Sequence, residues 1–119
     1  MVRKLSVCAL VAVMVFAVLG VCSAKSYTGK KVLYIDSYHQ GYPWSDGIAA
    51  GVKSAFEGKG IDLKVVYMDT KRNSDEAFKK ESGDKIKAAI EQFKPDVVIA
   101  ADDNAQVYVI AKYFKDTNL

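Results

Sequence analysis

Three apolar runs, each closed by an aspartate, recur along this chain at an interval of 33 residues, with the aspartates at Asp36, Asp69 and Asp102. A polar loop follows each run, and apolar residues at helical spacing follow each loop. This alternation constrains the fold more than any other feature. Strand and helix in strict alternation fit a parallel sheet with helices packed on it, and the interval is the length of one βαβ unit rather than a sign of duplication. The runs themselves agree. Val32-Leu33-Tyr34-Ile35 is β-branched and aromatic without a polar break, as in a strand buried on both faces. Ile61 to Met68 alternates Leu63, Val65 and Tyr67 with Asp62, Lys64 and Val66, and Asp96 to Ala101 reads as a third buried strand. The expected class is α/β, three-layer, a parallel sheet with helices on both faces. Right-handed crossovers leave little further choice of topology.

The loop Tyr38 to Ser45 contains Gly41 and Pro43, so the first helix is expected to start at Asp46 as its cap. Its apolar face is Ile48, Val52, Ala55 and Phe56, and Gly58 and Gly60 end it. Asn73 and Glu76 have capping-box spacing before the second helix. Phe78, Ile86, Ala89, Ile90 and Phe93 mark its buried face, and the Lys and Glu residues opposite read as a solvated surface. Gly83 is expected to weaken that helix by up to about 1 kcal/mol relative to Ala. Pro95 closes it. The third helix is expected to bury Val107, Ile110, Ala111 and Phe114. No low-complexity tract or sequence repeat interrupts the pattern. Three strands make a thin sheet and a fourth is expected next, so residues 25–119 read as the front of a longer lobe.

The start of the chain has a different character. Arg3 and Lys4 precede an uncharged stretch from Leu5 to Val21, and Cys22-Ser23-Ala24 offers small residues for cleavage. This is the n-region, h-region and A-x-A-like order of a signal peptide, assigned to residues 1–24 with cleavage after Ala24. The stretch is slightly short of the roughly 20 residues of a membrane span, which leaves a retained anchor as one alternative. Lipidation of Cys22 is another, although Val21 stands where such signals carry Gly, Ala or Ser. The mature chain is expected in the periplasm or another extracytoplasmic space, meeting a membrane only through this segment if it is uncleaved. Cys8 and Cys22 both lie in the signal, so the mature chain has no disulfide and no Cys-based metal site. Such an exported domain depends on an ordinary apolar core, which suits a bacterial envelope protein. Loss of Arg3 and Lys4 takes the formal charge from +3 to +1. That balance gives no electrostatic footprint for nucleic acid, and no nucleic-acid partner is expected. The remaining residues suffice for one small core, not for two lobes.

In an open parallel sheet, ligands bind beyond the carboxyl ends of the strands. The first such end carries Ser37, Tyr38, His39, Gln40, Gly41, Tyr42, Pro43, Trp44, Ser45 and Asp46. The second carries Asp69 to Asn73, and the third Asp102, Asp103 and Asn104. The first loop gathers two tyrosines with the single His and the single Trp of the chain. Aromatic rings make flat apolar walls with polar tips, and the helix N-terminus beyond them suits an anion. The plainer alternative is that these rings pack on the neighbouring helix while Asp46 only caps. Clustering beside Gly and Pro in a turn favours the binding reading. The candidate ligand-binding set is Ser37, Tyr38, His39, Tyr42, Trp44, Asp46, Asp69, Asp102, Asp103 and Asn104.

A complete catalytic set is missing from the sequence. His39 has no second His for a metal pair, and Gly-x-Ser-x-Gly does not occur. A catalytic His needs a positioned partner, so no catalytic residue is assigned and the chain is read as a non-enzyme. Asp36, Asp69, Asp102 and Asp103 suggest a Mg²⁺ site, but aspartates at strand ends more commonly cap helices or turn the chain. No metal or other cofactor is expected. The Lys71-Arg72 pair either meets an acidic group or stays solvated.

The stretches V-L-Y-I-D-S-Y-H-Q-G-Y-P-W-S-D-G-I and D-V-V-I-A-A-D-D-N-A resemble the substrate-binding proteins of ABC transporters. The likeness is to the periplasmic-binding-protein-like branch that also forms sensor regions of bacterial signalling proteins, and it runs from about Lys31 to Leu119. It implies a two-lobed fold closing on a small ligand at a hinge, of which this chain carries part of the first lobe. It also implies that Ser37, Tyr38, Trp44, Asp46, Asp102, Asp103 and Asn104 face the cleft. The expected function is that of an exported solute-binding protein, or a truncated remnant of one. It would bind a small organic ligand for ABC-type uptake or sensing, with a permease or membrane sensor as partner. A metal-dependent phosphoryl-transfer or hydrolase domain using Asp36 and Asp102 is the alternative, and a non-functional fragment is a third.

Overall fold

The computed structural model describes residues 26–117. The signal segment and both cysteines lie outside these residues. The described chain runs β1 (Lys31–Asp36), α1 (Pro43–Phe56), β2 (Asp62–Tyr67), α2 (Glu76–Phe93), β3 (Val97–Ala101) and α3 (Asp102–Ala105), which passes directly into a π-helical segment, Gln106–Phe114. The strands form one parallel sheet in the order β2-β1-β3, with Tyr34 beside Val65 on one side and Ile99 on the other. The expected α/β class, a parallel sheet with helices on both faces, is what the chain adopts.

Strand order explains the layering. Because β2 and β3 lie on opposite sides of β1, two right-handed crossovers must place α1 and α2 on opposite faces. The side chains follow. Leu33 and Ile35 point to one face and pack with Ile86 and Ile90 of α2, Ala105 of α3 and Val109 of the π-helical segment. Val32, Tyr34 and Asp36 point to the other face, where Ser45 of α1 meets Asp36. The central strand is fully enclosed, with Leu33, Tyr34 and Ile35 at 0% exposure. The expectation that β3 is equally buried is corrected: β3 is an edge strand, and Val97 is 51% exposed.

Three local expectations are also corrected. The helix α1 starts at Pro43, three residues before Asp46, because proline's fixed φ suits a first helical turn. Asp46 lies inside that turn and accepts from the Gly41 N–H at 2.9 Å. The cap of α2 is Asp75, whose carboxylate accepts from the Phe78 N–H at 2.8 Å, while Asn73 turns back to donate to Asp69 at 3.1 Å. In the last helix the buried residues are Ala105 and Val109, with Tyr108, Ile110 and Phe114 packed on the core; Val107 and Ala111 are exposed. The π winding bonds residue i to i+5, so its apolar stripe drifts away from the 3.6-residue face read from the sequence.

Candidate functional site

The strand order makes the gap between β1 and β3 a topological switch point. The chain leaves β1 toward α1 on one face and leaves β3 toward α3 on the other, and in open parallel sheets the space between two such loops is where ligands bind. Its floor is tied together by hydroxyls. Ser37, fully buried, donates through Oγ to the Ala101 carbonyl at 2.6 Å and accepts from the Ala105 N–H at 2.8 Å. Thr70 donates to the Ser37 carbonyl and accepts from Asn104 Nδ2 at 2.8 Å. All three strand-end loops are thereby held at one rim. Ser37 and Thr70 act as staples and present no surface to a ligand. Thr70 was not singled out from sequence, where it is one polar residue in a polar loop.

Asp36 lies beneath this floor at 0% exposure. Its Oδ1 accepts from the Tyr38 N–H at 2.8 Å and from Ser45 Oγ at 2.7 Å, and its Oδ2 accepts from the Tyr34 hydroxyl at 3.0 Å. Burial, reinforced by the hydrogen bond to Asp36, pushes the Tyr34 phenol well above its usual range. This carboxylate holds the start of α1 against β1 and does not face the rim.

Above the floor the rim is aromatic. Trp44, in the first turn of α1, is 57% exposed, and its indole N–H donates across the crevice to Asp102 at 3.2 Å and 3.4 Å to the two oxygens. Asp102 holds a left-handed backbone conformation at φ 66°, uncommon for a residue with a side chain. Asp103 stands exposed beside it. Tyr38 meets Tyr42 edge-on at 5.6 Å, and His39 stacks on Tyr42 at 5.7 Å. The Lys71 ammonium lies 5.5 Å and 5.4 Å from the ring centres of Tyr38 and Tyr42. Burial raises the Tyr38 phenol, Asp102 raises it further, and Lys71 opposes both.

Of the remaining candidates, Asp69 adjoins the aromatic loop, its N–H donating to the Tyr38 carbonyl at 2.7 Å, and Asp46 stands apart. Asp69, at the end of β2, is gripped by Arg72 through two bonds of 2.7 Å and 2.9 Å, which answers the question left open for the Lys71-Arg72 pair. The Arg72 hydrogen bonds hold the Asp69 carboxyl below its usual range. His39 Nδ1 lies 3.6 Å from Asp69 Oδ1, beyond hydrogen-bond length, and is buried with no hydrogen-bond partner. A depressed carboxylate pKa contributes stability above the unfolded value that fades as pH falls through the folded one. The wild-type urea midpoint should therefore drop across the acidic side of the carboxylate range more steeply than that of Asp69→Asn, and parallel curves would show that the Arg72 pair contributes nothing measurable. Asp46 faces a separate hollow of about 360 Å³ on the flank of α1, lined with Gln40, Lys53 and Tyr67 among others.

Two larger hollows, about 610 Å³ each, lie away from this rim, one around Ala50, Phe56 and Leu63 and one around Val32, Phe56 and Val97. In the second of these, Asp96 is already engaged by Lys30 and by the Lys31 N–H, each at 2.8 Å. Among the described residues, no three His, Cys, Asp or Glu side chains converge. The sequence-derived set thus divides. Tyr38, His39, Tyr42, Trp44, Asp102, Asp103 and Asn104 gather around the β1 and β3 ends, Ser37 lies beneath them, and Asp46 and Asp69 sit to either side. Comparison of the chain with protein-family models, with curated proteins and with solved structures finds no match in any of the three.

Proposed function

We propose that this chain is an exported solute-binding lobe that holds a small organic ligand at the β1/β3 crevice without turning it over, and passes it to an ABC permease or membrane sensor. The observation that carries the reading is Trp44, 57% exposed at the switch point with its indole N–H engaged by Asp102. A large apolar ring held at the surface leaves its face available, and an aromatic face with a few fixed polar groups is the usual composition of a small-molecule site. Tyr38 and Tyr42 extend that wall. Asp102, Asp103 and Lys71 supply charge of both signs around it. The resemblance of the two rim stretches to ABC substrate-binding proteins supports the same reading, as does the signal-peptide pattern of residues 1–24 for an extracytoplasmic site of action.

Trp44 is the single tryptophan, so its emission reports on this crevice alone. Titration with a panel of amino acids, small organic acids and amines is expected to give a saturable emission change with at least one compound class, accompanied by a rise in melting temperature. Removing the Asp102 carboxylate in Asp102→Ala frees the indole and should weaken that response about tenfold, the value of one hydrogen bond to a charged group. A panel that changes neither emission nor melting temperature overturns the proposal.

A further inference from the structure

We propose that the ligand of the β1/β3 rim is a cation, an organic amine or quaternary ammonium compound, seated on the face of Trp44 beside Asp102 and Asp103. This rests on the solute-binding reading above and adds to it the charge of the ligand. Tryptophan has the most cation-attracting face of the aromatic side chains. Trp44 is largely exposed, and among the described residues no ring or ammonium group lies over it. Its indole N–H donates to Asp102 at 3.2 Å. That bond holds the ring in place. It also sets a carboxylate against the positive edge of the ring, which leaves the face more electron-rich.

The charge around the ring has the same sign. Asp36 is buried beneath the rim, and Asp69 is engaged by Arg72. Asp102, partly exposed, and Asp103, exposed, then stand against the one ammonium of Lys71. Both carboxylates raise the Tyr38 phenol, so both act on the same rim. Lys71 shows what the aromatic wall accepts, since its ammonium lies 5.5 Å and 5.4 Å from the ring centres of Tyr38 and Tyr42. Trp44 is the ring that Lys71 leaves open. A cation there meets an aromatic face and two carboxylates, whereas an anion meets two like charges.

Four probes test this on the full-length chain by Trp44 emission and calorimetry. Neopentylamine, neopentyl alcohol and pivalate share one tert-butyl body and differ in charge, and choline is the quaternary member. The two cations should bind about tenfold more tightly than the alcohol, from one cation–π contact and one exposed ion pair together, and pivalate should bind most weakly. Added salt should weaken the cations. Asp103→Asn should weaken cation binding about threefold, and Lys71→Gln should strengthen it. A general loss of structure cannot produce those opposite shifts, and circular dichroism checks that each variant folds. If the alcohol or pivalate binds as tightly as the cations, or if none of the four binds, the charge assignment is overturned while the small-molecule reading stands on the wider panel. Shifts of the same direction in the two variants overturn the assignment as well. Silence from these probes and from the whole panel removes both.

Discussion

Replacing Asp36 with alanine is expected to cost about 3–5 kcal/mol, because three hydrogen-bond donors lose their shared acceptor. The carboxylate is at 0% exposure and accepts from the Tyr34 hydroxyl, the Tyr38 N–H and the Ser45 hydroxyl. Alanine leaves two buried donors and the part-buried Tyr38 N–H without an acceptor, and each unsatisfied buried donor carries a penalty of roughly 1–3 kcal/mol. A domain of this size has only about 5–15 kcal/mol of total stability, so much of it is at stake. Asp36→Asn keeps an oxygen where Oδ1 receives Tyr38 and Ser45, and it should lose markedly less. Tyr34→Phe removes a single bond to the carboxylate and should cost about 1.5–3 kcal/mol. Urea denaturation followed by circular dichroism ranks the three. If Asp36→Ala shifts stability by less than about 1 kcal/mol, the network does not hold α1 to β1 as described here.

The same residue shows where reading from sequence succeeds and where it stops. Asp36 reads as a strand end, and strand ends gather at one rim of a parallel sheet, so Tyr38 and Trp44 are legible as neighbours of Asp102 and Asn104 across roughly 60 residues of sequence. Which way each side chain turns at that rim was not legible. Asp36 points down beside Tyr34 and Ser45, while Asp102 points up to the indole of Trp44. Both are aspartates closing apolar runs, and only the strand's register and face separate them. Thr70 was passed over for a related reason. Its role comes from reaching Ser37 and Asn104, 33 and 34 residues away, and local sequence carries no sign of that. Pattern also misplaced the buried stripe of the last helix, because periodicity arguments assume 3.6 residues per turn and the π winding departs from it. Pro43 reads as a loop residue, whereas its fixed φ makes it a helix start. In each case the element is correctly located, and the error lies in a rotation or an offset along the chain.

Gly83→Ala is the substitution for which the two levels of reasoning predict opposite signs. By helix propensity alone, alanine in the middle of α2 should stabilise by up to about 1 kcal/mol. Gly83 is buried, however, where α2 crosses the π-helical segment. A Cβ added there would lie 3.1 Å from both the carbonyl carbon and the Cβ of Tyr108, and closer still to the Tyr108 carbonyl oxygen. The obstacle is backbone, so no rotamer change relieves it and the two helices must move apart. They are not free to slide, since Tyr108 donates to Glu76 at 2.7 Å and 2.9 Å, and Lys112 pairs with Asp84 at 3.0 Å. Separation would also open the contact of Ile86 and Ile90 with Val109. Overpacking of this kind costs typically about 1–3 kcal/mol, which exceeds the propensity gain, so Gly83→Ala should be net destabilising. The exposed Ala88 of the same helix provides the control: Ala88→Gly should lose close to 1 kcal/mol by propensity alone. If both positions favour alanine in urea denaturation, the helices do not approach as closely at residue 83 as described. If each position favours its native residue, packing decides the first and propensity the second.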